Sequence, residues 1–180
     1  MPMPIAAIET ERLTLEPFSE NFLTERYVGW LNDKDVMAHS RHRHQIHSLD
    51  SCREFFESLR ADSHYLWAIV AKDEFGHIGN IASYNDDNAN AADLTILIGE
   101  SAVSEQGYGT EAWIGVCRWL FETADVQKIT AGTVAANAGM VGIMKKAGMK
   151  TERVRDYQFN DGTIGDAIKA VITKEMWKRT

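Results

Sequence analysis

Residues 93–110 read D-L-T-I-L-I-G-E-S-A-V-S-E-Q-G-Y-G-T, and the change of rhythm inside them decides the fold. Asp93, Thr95 and Leu97 alternate with Leu94, Ile96 and Ile98, the period of a strand with one wholly apolar face. That face belongs to a core, which turns Asp93 toward the open side. After Gly99 and a short loop, Gly107 and Gly109 lead into residues 109–122, where Ala112, Trp113, Val116, Trp119 and Leu120 recur at helical spacing. Strand, loop, glycines and long helix make an arrangement suited to a phosphate group. Glycine lets backbone approach a ligand closely, and the first turn of a helix offers unpaired amides at the positive end of its dipole. A tight turn that binds nothing would use the same two glycines. The stretch is neither G-x-x-x-x-G-K-[ST] nor G-x-G-x-x-G, which counts against nucleoside triphosphates and dinucleotides.

Working outward, the alternation at 11–16 predicts a strand, and the apolar spacing at 22–31 and 49–59 predicts two helices, the second capped by Ser48 or Asp50. Strand-like runs follow at 65–71, 77–84 and 92–99, separated by turn-forming residues at 72–76 and 85–90. Beyond the long helix, residues 128–135 read as a strand and 138–146 as a helix closed by Gly148. The runs 153–159 and 167–173 form a last pair around Asn160-Asp161-Gly162, a hairpin signal. The order is β-αα-βββ-α-β-α-ββ. It predicts an α+β (α/β-like) fold, one domain over residues 1–180, with a mixed central sheet of about six to seven strands and helices on both faces.

Composition narrows the partners. Lys and Arg number 19 against 26 Asp and Glu, a net charge of −7 that argues against nucleic acid or an anionic membrane as the main partner. The start, Met1-Pro2-Met3-Pro4-Ile5, lacks the basic and apolar regions of a secretory leader, and no apolar run approaches the roughly 20 residues of a membrane span. Cys52 and Cys117 are expected to be reduced and buried, and the cytoplasm is the expected compartment.

Residues 39–47, H-S-R-H-R-H-Q-I-H, hold four histidines and two arginines. No cysteine or carboxylate at zinc-ligand spacing accompanies them, so no metal site is expected. A solvated loop and an anion-binding substrate loop both remain open.

Three motifs together resemble the GCN5-related N-acetyltransferases. Ser104-Glu105-Gln106-Gly107-Tyr108-Gly109, followed by Thr110, is similar to that family's (Q/R)-x-x-G-x-(G/A) pyrophosphate loop, with Ser104 at the Gln or Arg position and no Lys or Arg inside the loop. Glu9-Thr10-Glu11-Arg12-Leu13-Thr14-Leu15 resembles the opening strand of the branch that includes ribosomal-protein N-terminal acetyltransferases. Asn137 with Lys146-Ala147-Gly148-Met149 resembles the N-x-x-S-x-x-x-x-x-K-x-G-F segment, with Met140 and Met149 replacing Ser and Phe. Within the family, Trp30-Leu31-Asn32-Asp33, Ser40 with Arg43 and His44 or His47, and His77-Ile78-Gly79-Asn80-Ile81 are similar to enzymes acting on nucleotide-linked amino sugars.

The resemblance implies acetyl-CoA as cosubstrate and direct attack of a primary amine on the thioester. Its pyrophosphate would lie on the loop from Ser104 to Thr110, its pantetheine beside Leu97, Ile98 and Gly99, and Asn137 and Lys146 nearby. Asp93 matches the position where some relatives carry a catalytic Glu, while a solvated loop end is the alternative reading. Many relatives place a Tyr acid seven residues after the Asn; Met144 stands there, and nothing in the sequence puts Tyr108 or Tyr157 at the sulfur. Trp30, Ser40, Arg43, His44 and His47 would border the acceptor, although Trp30 equally suits core packing. The implied acceptor is a small amine. N-terminal acetylation of a ribosomal protein and a catalytically weak acyl-CoA sensor are the alternatives, and homodimerisation is left open.

Overall fold

The computed structural model describes residues 3–179, so that Met1 and Pro2 of the stretch read for a leader, and Thr180, lie outside the described residues. The strands are β1 (Ile8–Glu9), β2 (Leu13–Pro17), β3 (Tyr65–Ala71), β4 (His77–Asp86), β5 (Ala91–Ile98), β6 (Lys128–Val134), β7 (Lys150–Gln158) and β8 (Ile164–Thr173). The helices are α1 (Glu25–Asn32), α2 (Leu49–Ala61), α3 (Tyr108–Glu122), α4 (Ala138–Lys146) and α5 (Lys174–Trp177). All eight strands join one mixed sheet in the order β1-β2-β3-β4-β5-β6-β8-β7. Every pairing is antiparallel except β5 with β6.

The alternation of β3 explains why the sheet is covered on both sides. Tyr65, Trp67, Ile69 and Ala71 face one core cluster while Leu66 and Ala68 face another. The first cluster is closed by α3, whose Trp113, Val116, Leu120 and Phe121 have no accessible surface, and by Met144 of α4. Burying each such side chain contributes about 1.5–3 kcal/mol, which makes α3 the main anchor of that face. The second cluster packs Tyr27, Val28 and Trp30 of α1 with Cys52, Phe56 and Leu59 of α2. Cys52 and Cys117 are both reduced and buried.

Most expected elements form, with local differences. Phe22 lies outside α1 in a single 3-10 turn, because extended Thr24 caps the helix instead, accepting from the Tyr27 amide at 3.2 Å. β1 adds a two-residue strand beyond the expected six to seven, and α5 adds a last turn capped by Thr173. β7 starts at Lys150, three residues before the predicted start, and leaves Lys150, Glu152, Arg153 and Arg155 exposed along the sheet edge.

Candidate active site

One irregularity of the sheet creates the site. β5 pairs with β4 along its whole length, but with β6 only over residues 91–93. Beyond Asp93 the two parallel strands separate, and the β6-facing edge of β5 opens into a cleft. The β4–β5 ladder determines which backbone groups reach it. The Gly99 amide donates to the Ile78 carbonyl at 2.9 Å, which makes residues 78 and 99 a hydrogen-bonded pair. By the alternation of antiparallel ladders Leu97 also bonds toward β4, while Ile96 and Ile98 turn their N–H and C=O toward the cleft. Of the three residues expected beside the pantetheine, Ile98 therefore offers its amide there, and the amides of Leu97 and Gly99 belong to the sheet. Gly99 also admits no side chain: a Cβ would fall 2.0 Å from the Trp30 ring. Trp30 is thus buried behind the strand, edge-on to His77 with ring centroids 5.0 Å apart.

The glycine loop lies at the end of this cleft. Gly107 is the N-cap of α3, with φ +83°. Ser104 and Gln106 spend their amides on Ser101 and Val103 carbonyls at 3.1 and 3.3 Å, and Gln106 sends its side-chain amide to the Ala102 carbonyl at 2.8 Å. Glu105 is exposed, at φ +63°. The first bond of the helix runs from the Glu111 amide to the Gly107 carbonyl at 3.0 Å. The amides of Tyr108, Gly109 and Thr110 precede it and are left for a ligand at the positive end of a fifteen-residue helix. A Cβ on Gly109 would come 3.0 Å from Ile143, so α4 stands directly beside this turn.

Tyr108 is committed elsewhere. Its ring is buried and its hydroxyl donates to Asp73 at 2.6 Å, a bond that holds its pKa above the usual phenol value. Asn137 caps α4, accepting from the Met140 amide at 3.2 Å and donating to Thr133 at 3.1 Å. Lys146 is exposed in the last turn, and Met144, whose thioether has no proton to donate, is buried in the core.

No Lys or Arg lies within this loop, and its cation comes from the turn between β1 and β2. The side chain of Arg12 donates to the Gln106 carbonyl at 2.9 Å and to Glu111 at 2.7 Å. Its guanidinium lies 4.3 Å from the centre of the Tyr108 ring. Arg12 was visible in the opening-strand motif, and the absence of Lys or Arg within the loop was the signal to look for a partner from elsewhere.

On the other face of β5 a cleft of about 720 Å³ is lined by Arg41, His42, His44, Phe55, Tyr84 and Asp93, among others. Asp93 and Tyr84 are cross-strand neighbours. Burial raises the Asp93 pKa above the usual carboxylate value, partly offset by the Thr130 hydroxyl donating at 2.6 Å. Burial likewise raises Tyr84 and lowers His42. Glu100 is no rival base: it is paired with Arg26 at 2.6 Å and accepts from the Ala102 amide at 3.2 Å.

The histidine loop reaches this cleft in a defined shape. The Asn32 side chain exchanges two hydrogen bonds with the backbone of His47, at 2.8 and 2.9 Å. Ser40 accepts from the His42 amide at 3.1 Å, and its carbonyl accepts from Arg43 at 2.8 Å. Arg43 also pairs with Asp161 in the β7–β8 turn, and His44 lies 4.0 Å from the same carboxylate. Arg43 therefore latches the loop to the hairpin, while Arg41 lines the cleft with no hydrogen-bond or ion-pair partner among the described residues. Among these residues no cluster of three His, Cys, Asp or Glu could hold a metal ion, and no helix is long and apolar enough to cross a membrane.

A strand edge opened beside a helix start with unpaired amides suits an extended thioester ending in a pyrophosphate. A family model described as the acetyltransferase (GNAT) domain matches residues 12–150. The chain belongs to the GNAT acetyltransferase family. It is accordingly an acyltransferase with acetyl-CoA as cosubstrate. Solved GNAT structures share the fold. One from Bacillus anthracis aligns with TM-score 0.81 at 18% identity, covering 94% of this chain and 99% of its own. The ribosomal L7/L12 α-N-protein acetyltransferase RimL, in complex with coenzyme A, aligns at 0.81 and 11%, covering 93% and 98%. The aminoglycoside acetyltransferase AAC(6')-Ib, in complex with coenzyme A, aligns at 0.75 and 22%, covering 93% and 98%. At these identities the likeness is one of fold. No curated protein matches the chain in sequence.

Proposed function

We propose that this GNAT domain acetylates the primary amine of a small acceptor that also carries negative charge, with a nucleotide-linked amino sugar as the favoured case. The observation that carries this reading is the pairing, in one cleft, of a half-buried carboxylate with an unpaired guanidinium. Asp93 has the place and the raised pKa of a base for the incoming amine; Arg41 lines the same space with no hydrogen-bond or ion-pair partner among the described residues, near enough to Asp93 to oppose part of its rise. A basic protein terminus would meet Arg41 and the surrounding histidines unfavourably.

The reaction is direct. The amine, relieved of its proton by Asp93, attacks the thioester carbonyl, the C–S bond breaks, and the thiolate of coenzyme A leaves. No acyl-enzyme is needed, and both cysteines are buried away from the cleft. The outward-turned Ile98 amide supports the developing oxyanion. A weak carboxylate base suits an amine of low pKa: an α-amine near 7.8 costs about 1 kcal/mol to deprotonate at pH 7, a lysine near 10.4 about 4.6 kcal/mol. A thiol of pKa about 8.5 leaves tolerably as the anion, consistent with Met144 where relatives carry an acid. Ile98, Tyr108, Gly109, Thr110 and Asn137 would hold the cosubstrate; Ser40, Arg43, His44 and His47 would shape the acceptor loop, and Trp30 would support Gly99 from behind.

Steady-state kinetics of Arg41→Ala test this reading. The KM for an anionic amine acceptor should rise on the order of tenfold or more, as for loss of a charged hydrogen bond, with the KM for acetyl-CoA nearly unchanged. Equal KM values for the acceptor in variant and wild type would exclude Arg41 from recognition and leave the acceptor charge without a partner.

A further inference from the structure

Arg12 does more than pair with Glu111. We infer that Arg12 is the positioning residue that presets the coenzyme A pyrophosphate loop for its anion, acting through Gln106 and Tyr108, which flank Gly107, and through Glu111 in the first turn of α3. The inference rests on the cosubstrate assignment and adds to it the residue that organises the site.

The geometry has three parts. Arg12 holds the Gln106 carbonyl at 2.9 Å, immediately before Gly107. Its guanidinium covers the ring of Tyr108, immediately after Gly107, at 4.3 Å. Its Nε and its backbone amide each donate to Glu111, at 2.7 Å, in the first turn of α3. The Thr10 hydroxyl donates to the same carboxylate at 2.7 Å, so the β1–β2 turn and the helix start are joined as one unit. The peptide unit between Gln106 and Gly107 is planar and trans, with its C=O and N–H pointing in opposite directions. Fixing the Gln106 carbonyl on Arg12 therefore aims the Gly107 amide the other way, out of the loop. The Gly107 backbone, at φ +83°, is held between two anchored neighbours.

Position rather than bare charge is the device. Glu111 neutralises much of the Arg12 charge at 2.7 Å. Lysine would keep the charge but lacks the fork that spans Gln106 and Glu111, and it cannot lie flat on the tyrosine ring.

Calorimetric titration of the purified protein with coenzyme A tests the inference, with melting temperature as the control for folding. Arg12→Ala should weaken coenzyme A roughly 10–100-fold, the usual effect of losing a charged hydrogen bond, and Arg12→Lys should recover little of it. In kinetics, the preference for acetyl-CoA over S-acetylpantetheine, which lacks the pyrophosphate, should shrink by the same factor. A merely structural role would lower both substrates together. Should Arg12→Ala prove unstable, Glu111→Gln keeps the shape and should weaken coenzyme A in the same direction. Wild-type affinity in Arg12→Ala, or full recovery in Arg12→Lys, would overturn the inference. Wild-type protein that fails to bind coenzyme A would overturn the cosubstrate assignment and this inference with it.

Discussion

At the scale of single residues, partners separate functional groups from structural ones. Among the described residues Asp93 has one hydrogen-bond partner, the Thr130 hydroxyl, and feels the Arg41 charge without forming an ion pair, whereas Glu100 is held by Arg26 and Asp161 by Arg43 and Thr163. Asp93→Asn should lower turnover on the order of 10²-fold while leaving acetyl-CoA affinity intact. Its raised pKa also fixes a sign for stability. A carboxylate favoured in its protonated form by burial contributes most below its unfolded pKa, and that contribution is lost as pH rises through the raised folded value. Wild type should therefore lose stability relative to Asp93→Asn across that rise, as followed by thermal melts; parallel curves would deny the burial effect. The open-side placement of Asp93 was legible from alternation, while its proposed role as base came from the family resemblance. Which arginine of residues 39–47 faces the cleft was not legible, because the residue that claims Arg43 lies 118 positions later.

At the scale of elements, the glycine turn and the long helix were legible because their signals are local: an apolar stripe and two glycines. The brace behind them was hidden, since Arg12 and Gln106 are 94 residues apart. The backbone roles of Leu97 and Gly99 were hidden too, since they depend on the ladder with β4 rather than on their own sequence. The early start of β7 was missed because an edge strand with exposed charges lacks apolar alternation. The contact between the β1–β2 turn and α3 carries its own pH signature. Burial pushes the Glu111 pKa up, but hydrogen bonds from Arg12 and Thr10 outweigh it and leave the value lowered. Stability from this group is present above the unfolded carboxylate pKa and is lost as pH falls through the lowered folded value. The melting-temperature advantage of wild type over Glu111→Gln should accordingly be largest near neutral pH and shrink in acid. An advantage independent of pH would assign it to packing instead.

At the scale of the whole molecule, two cores clamp one sheet, and the proposed site occupies the place where that sheet separates between β5 and β6. One side of the opening meets the start of α3 with unpaired amides; the other meets a latched loop bearing an unpaired arginine opposite a raised carboxylate. The sequence order of strands and helices was enough to foresee the sheet and its two covered faces. The separation of β5 from β6 was not foreseeable, because it arises from where their pairing stops, after residue 93, and no single residue marks that point. The proposed role of this opening is to join acetyl-CoA to an amine bearing negative charge. Its most direct measurement is the rate of thiol release from acetyl-CoA with one amino sugar offered free and with its nucleotide diphosphate attached. The nucleotide-linked form should show a kcat/KM larger on the order of tenfold or more. Equal values, or release confined to basic peptides, would contradict that role.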